Sequence, residues 1–169
     1  MQAENFCIEG FIQVSNFPFA WWNKTITIYN RVVDPTTQRV SWYRNTIENC
    51  FWKYVNNTYT IGRSGISSSG VQLTTKDVVC RIPKDDRFVD KRGWAELSES
   101  ERAEHFTLNT GDLIVAGEVT DVIDEYTAGQ RSTDLVTKYK KFDECLEIDT
   151  YVDNTGRGIG LEHYRIVGK

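Results

Sequence analysis

Residues 106–124, FTLNTGDLIVAGEVTDVID, read as apolar strand, turn, apolar strand, and this pattern decides the fold class. Asn109-Thr110-Gly111-Asp112 is turn chemistry: Gly111 takes positive φ without a Cβ clash, and Asp112 can cap its own backbone. Leu113-Ile114-Val115-Ala116 is a short run of strand formers, and Gly117 is expected to let a neighbouring segment approach closely. No catalytic group stands in the stretch. The expected fold is mainly β (a β-rich α+β chain): a small β-barrel or sandwich with one or two short helices and long loops.

The totals agree. A chain of 169 residues fits one domain with an appendage, and 40% hydrophobic residues suffice for a core. A net charge of −4 does not suit a basic nucleic-acid binder. No apolar run is long enough to span a bilayer. The first residues, MQAENFCIEGF, carry neither the positive flank nor the apolar centre of a signal peptide. Cys7, Cys50, Cys80 and Cys145 form no CxxC pair, which argues against zinc and for free thiols in a reducing compartment, two or three of them buried. Asn23-Lys24-Thr25 and Asn56-Asn57-Thr58 match glycosylation sequons, read here as chance.

Residues 1–24 form an arm with Phe6, Phe11, Phe17, Phe19, Trp21 and Trp22, interrupted by Pro18. Its rings need a home, either the domain's own core or a neighbouring subunit. Residues 25–169 form the domain. Thr25–Val33 reads as a strand, with Ile26 and Ile28 on one face and Thr25, Thr27 and Tyr29 on the other. Asp34-Pro35-Thr36-Thr37 turns the chain. Val40–Ile47 returns, and Cys50–Val55 is expected as a third strand after Glu48-Asn49. Residues 62–70 are a Gly/Ser loop, Val71–Ile82 is a strand stopped by Pro83, and Lys84–Arg92 is a charged connector. Ser98 with Glu101 has capping-box spacing and starts a short helix. A second helix is expected over Ser132–Lys141, with Leu135, Tyr139 and Phe142 on one face. Strands Leu146–Val152 and His163–Val167 flank a Gly-rich loop at 153–160.

That loop holds Gly156, Gly158 and Gly160, but a strand follows it where a phosphate site needs a helix N-terminus. No cysteine stands near His105 or His163 in sequence, so no nucleophile–base pair is written locally. Asp85-Asp86, and Asp121 with Asp124 and Glu125, lack metal-loop spacing and read as surface charge. Trp42-Tyr43-Arg44 and Phe51-Trp52-Lys53-Tyr54 interleave rings with cations as stacking platforms do, although such alternation also writes ordinary half-buried strands. No cofactor is implied.

Several blocks, in order, resemble a family of small neck-region virion proteins of tailed phages and prophages of Gram-positive bacteria. They are Ile26-Thr27-Ile28-Tyr29-Asn30, Thr46-Ile47 with Phe51-Trp52, and Asp77-Val78-Val79-Cys80-Arg81-Ile82-Pro83. Phe106-Thr107-Leu108 leading into Gly111–Gly117, and Val152-Asp153 through Gly156 to His163–Lys169, continue the series. The resemblance covers residues 25–169; the arm and the loop at 62–70 depart from it. It implies a head-completion or stopper protein of the head–tail connector, without catalytic residues, located in the virion neck and assembled in the host cytoplasm. Its implied partners are its own copies in a ring of about six or twelve, a portal-side adaptor, a tail terminator or tail tube protein, and genomic DNA passing through the lumen without sequence recognition. No membrane is involved. Subunit-interface candidates are Phe17, Phe19, Trp21 and Trp22 of the arm with Arg157 and Ile159 of the Gly-rich loop. The alternatives are a tail terminator or tail-completion ring or, in other classes, a small soluble hydrolase or a nucleic-acid-binding module.

Overall fold

Strand β1 (Lys24–Val33) is the seam on which this fold closes. A computed structural model describes residues 22–61, 71–127, 129–157 and 162–169, with the backbone alone at 56–61, 71–77 and 157. The other strands are β2 (Val40–Ile61), β3 (Val71–Pro83), β4 (Leu113–Ala116), β5 (Cys145–Asp153) and β6 (His163–Gly168). They form a closed antiparallel barrel in the order β1-β2-β3-β6-β5-β4, with β4 pairing back to β1.

β1 is buried at five consecutive residues, Ile26 to Asn30, because both of its faces are covered. Ile26 and Ile28 enter the barrel core with Ile47, Ile82, Ile114, Leu146, Ile148 and Ile166. On the outer face, Tyr29 packs with Leu113, Val115 and Leu135 beneath helix α3 (Ser132–Lys140). β4 has only four residues, yet Leu113, Ile114 and Val115 are all buried. Each contributes roughly 1.5–3 kcal/mol, enough for so short a strand to hold the closure.

β2 departs from expectation. It runs unbroken through Glu48-Asn49, where a strand break is expected. Lys24 pairs with Cys50 and Ile26 with Ile47, so three steps on β2 oppose two on β1. Asn49 takes φ 56° at this bulge, a conformation that Asn tolerates better than most residues. The strand bends there and changes partner, leaving β1 at Cys50 and joining β3 from Phe51 outward to Ile61↔Val71.

Among the described residues there are three α-helices where one or two short helices are expected. α2 (Glu99–Glu104) carries the full capping box between Ser98 and Glu101. α1 (Lys91–Glu96) lies inside and just beyond the segment read as a charged connector; Asp90 caps it by accepting from the Gly93 N–H, and Trp94 is its buried anchor. In α3, Leu135 is buried as expected, but Phe142 is 64% exposed. The helix ends before it, and Asp143 turns the chain with φ 59°.

The two glycines of the opening stretch also differ in role. Gly111 has φ 89°, as its turn requires, whereas Gly117 has φ 94° with open space at its Cβ position. Its backbone angle, and not a close neighbour, therefore demands glycine there. The close approach is at Gly168, where a Cβ would collide with the Glu147 carbonyl oxygen. The first half of the stretch is not a strand: Phe106 makes only an isolated bridge to Phe88.

Candidate interaction surface

The β2–β3 pair is longer than the barrel that bears it. β3 meets β6 only from Cys80 to Pro83, and β2 has left β1 by Phe51. From Lys53↔Val79 to Ile61↔Val71, nine register pairs stand as a two-stranded ribbon, and among the described residues neither outer edge has a partner strand. Nine residues at strand rise extend about 27 Å. The strands expected at Cys50–Val55 and Val71–Ile82 both lie in this ribbon, the first of them longer than expected, and the Gly/Ser loop expected at 62–70 lies outside the described residues. The signal for the longer strand is Thr58-Tyr59-Thr60-Ile61, which alternates polar with apolar beyond Val55.

The base of the ribbon is built from aromatics. Trp52 and Val78 pack against the barrel core, and the Trp52 and Tyr54 rings meet at 6.3 Å. Trp52 Nε1 and Tyr54 Oη are buried there beside each other, with no further hydrogen-bond partner among the described residues. On the opposite face Arg81 lies over the Phe51 ring at 5.2 Å. Trp22 leans on the same Phe51, with ring centroids 6.4 Å apart, and meets His163 edge-on at 5.5 Å. Of the six interface candidates, only Trp22 has a described side chain. It is 8% exposed and packs on its own chain's β2 and β6, the first of the two homes considered for the arm's rings. Arg157 ends a short 3-10 turn at Thr155–Arg157. Phe17, Phe19, Trp21 and Ile159 lie outside the described residues.

The turn at 109–112 proves to be a clasp. Asp112 has no exposed surface. Its carboxylate accepts from Asn30 Nδ2 at 2.7 Å, from the Arg31 N–H at 2.8 Å and from the Asn109 N–H at 2.9 Å. Asn30 also donates to the Thr107 carbonyl. Burial pushes the Asp112 carboxyl up to about 6, against the pull of its three donors. This group ties β1 to β4; it does not face an opening.

The other chemical candidates are committed to the fold. Cys50, Cys80 and Cys145 are buried free thiols, as expected for three of the four cysteines. Burial raises all three, Cys145 to about 11, so little thiolate is present to attack a substrate. His105 sits at the α2 C-terminus with Nδ1 2.9 Å from the Glu101 carbonyl. His163 Nε2 lies 3.4 Å from Asn154 Nδ2. Asp85 is gripped by the Arg87 guanidinium at 2.7 Å; although burial opposes it, that contact holds the carboxyl below its ordinary range. Asp121 takes Lys138 and Tyr139, and its carboxyl is held low by those bonds. Glu125 accepts from Trp42 Nε1. Tyr43 is packed edge-on against Trp94, and Arg44 donates to the Val119 carbonyl, so the first stacking platform is closed by its own chain. Among the described residues no three metal-ligating side chains gather, and no helix is long and apolar enough to cross a membrane.

No curated protein and no solved structure matches this chain. One family model does match, over residues 21–169, a span that takes in all six strands and begins at the residue before Trp22. The chain therefore belongs to that family, a family of unknown function (DUF6751).

Proposed function

We propose that this protein is a structural component of a phage virion neck, a head-completion or stopper ring joining the DNA-filled head to the tail. The observation that carries the reading is where the resembling blocks fall. Ile26–Asn30 is the buried centre of β1 and Gly111–Gly117 is the clasp with β4. Asp77–Pro83 is the end of β3, and His163–Lys169 contains β6. The blocks thus fall mostly on the walls of one barrel, and the buried carboxyl they contain, Asp112, helps to hold that barrel closed. A scaffold of this kind is suited to be gripped by neighbours. Mild acidity also suits a channel through which DNA slides, because a strongly basic lumen would hold the phosphates.

The test is to inactivate the gene in its phage and to follow the protein into particles. The reading expects the protein in purified virions, and expects its loss to leave DNA-filled heads and finished tails unjoined. Tails of abnormal length would assign the terminator role instead. A protein absent from virions, or dispensable for infectious particles, would overturn the reading.

A further inference from the structure

The geometry points to the β2–β3 ribbon as the surface through which copies of this chain pair, the open β2 edge of one ribbon adding to the open β3 edge of the next. This inference rests on the ring reading and names its interface.

A two-stranded ribbon is marginally stable alone in water, and its open edges invite a further strand. Proteins usually guard such edges with charge, proline or bulges. Here residues 54–61, YVNNTYTI, and 71–75, VQLTT, contain no charged residue, no proline and no glycine. The ladder register puts Tyr59, Ile61, Val71 and Leu73 at positions of one face, and Thr58, Thr60, Gln72 and Thr74 at positions of the other. The ribbon is therefore apolar on one side toward its end and polar on the other, a pattern that continues unbroken when ribbons are laid edge to edge.

The occupant follows from the edges themselves. Among the described residues both are without a partner strand over the same nine register pairs, and they run antiparallel to each other. A foreign strand covers one edge and leaves the second exposed. A second copy supplies the edge that the first one lacks, and the head-to-tail contact is satisfied throughout only when it closes into a ring. Charge permits it: the β2 edge carries Lys53 alone, and Lys76 and Asp77 cancel on the β3 edge. Pairing nine residues of each edge supplies about nine main-chain hydrogen bonds, comparable with the roughly ten of a specific protein interface.

The experiment measures the mass of the full chain in solution by light scattering over a range of concentrations. One variant combines Thr58→Lys with Tyr59→Lys and charges the β2 edge; another combines Leu73→Lys with Thr74→Lys and charges the β3 edge. Both changes lie beyond the barrel, so circular dichroism should match the wild type, and the unfolding midpoint should match that of the wild type diluted below its association range, because association itself raises the midpoint. The wild type should form oligomers, and each variant alone should fall to the 19.5 kDa monomer. An equal mixture of the two should recover a dimer, because each retains the edge that the other has lost. Oligomers that persist in both variants would overturn the ribbon interface and leave the ring reading standing. Loss in only one variant would also overturn it, in favour of a symmetric contact between like edges. A wild-type chain that is monomeric at every concentration would overturn both.

Discussion

Asn30 and Asp112 stand 82 positions apart in the chain and meet in a 2.7 Å hydrogen bond with both side chains fully enclosed. The bond joins the two strands whose pairing closes the barrel. Replacing Asp112 with Ala strands three donors, Asn30 Nδ2 in the core and the part-buried Arg31 and Asn109 N–H groups. The expected cost is about 3–5 kcal/mol, since unpaired buried polar groups lose their full solvation. Urea unfolding of wild type and Asp112→Ala measures it; a loss under about 1 kcal/mol would show that the clasp is not what holds β1 to β4.

The same carboxyl makes stability depend on pH. Its value in the folded protein, about 6, lies above the ordinary 3.8 because burial disfavours the charge. Between those values the folded state binds more protons than the unfolded state. Its contribution is therefore fully present below about pH 4 and is lost as pH rises through 6, a change of about 3 kcal/mol. Carboxyls held low, such as Asp121 and Asp85, act in the opposite direction and only below about pH 4. The Asp112→Asn variant should lack the pH 4–6 slope. An identical slope in wild type and variant would refute the assignment.

What sequence could reach follows how far each device extends along the chain. The Ser98–Glu101 box spans four residues and is readable, as is the Asp34 turn, where the carboxylate accepts from Thr36 and Thr37. Asp112 looked like a cap on its own turn, and it does accept from Asn109. Its bond to Asn30 depends on the folded sheet and leaves no local trace. Helix α1 was hidden because Asp90 caps it from within a charged run and Trp94 is its sole buried side chain. The β2 bulge was hidden for a related reason: Glu48-Asn49 reads as a turn, and only pairing with β1 shows that the strand passes through it.

Two glycines separate backbone strain from crowding. At Gly117 an alanine meets open space but must adopt φ near 94°, at a cost of roughly 1–2 kcal/mol. At Gly168 an added methyl group meets the Glu147 carbonyl oxygen and lies 2.9 Å from Leu146 Cδ1, both on β5. Relief requires β5 and β6 to move apart, so Gly168→Ala should lower the thermal midpoint clearly more than Gly117→Ala. Equal shifts would mean that the two strands yield easily at this point.

Trp22 anchors the start of the described chain against Phe51 and His163. Truncation to Ala removes a nearly enclosed indole at the barrel's rim, where neighbours relax more readily than in the core. About 2–3 kcal/mol of stability should be lost, somewhat less than for a central aromatic. Trp22→Phe should recover most of it. If Trp22→Ala unfolds at the wild-type denaturant midpoint, the ring contributes nothing to its own domain.

The thiols supply a test that bears on chemistry as well as packing. Cys50 and Cys80 have no exposed surface and Cys145 has 4%. Burial raises each thiol above its ordinary value, so at pH 8 little thiolate forms and a disulfide reagent has no path to the sulfur. In a Cys7→Ser chain, these three should react only on the timescale of unfolding and become fast together once denaturant is added. A single cysteine that reacts rapidly in the folded chain would mark an accessible, activated sulfur and would revive a nucleophilic role for it.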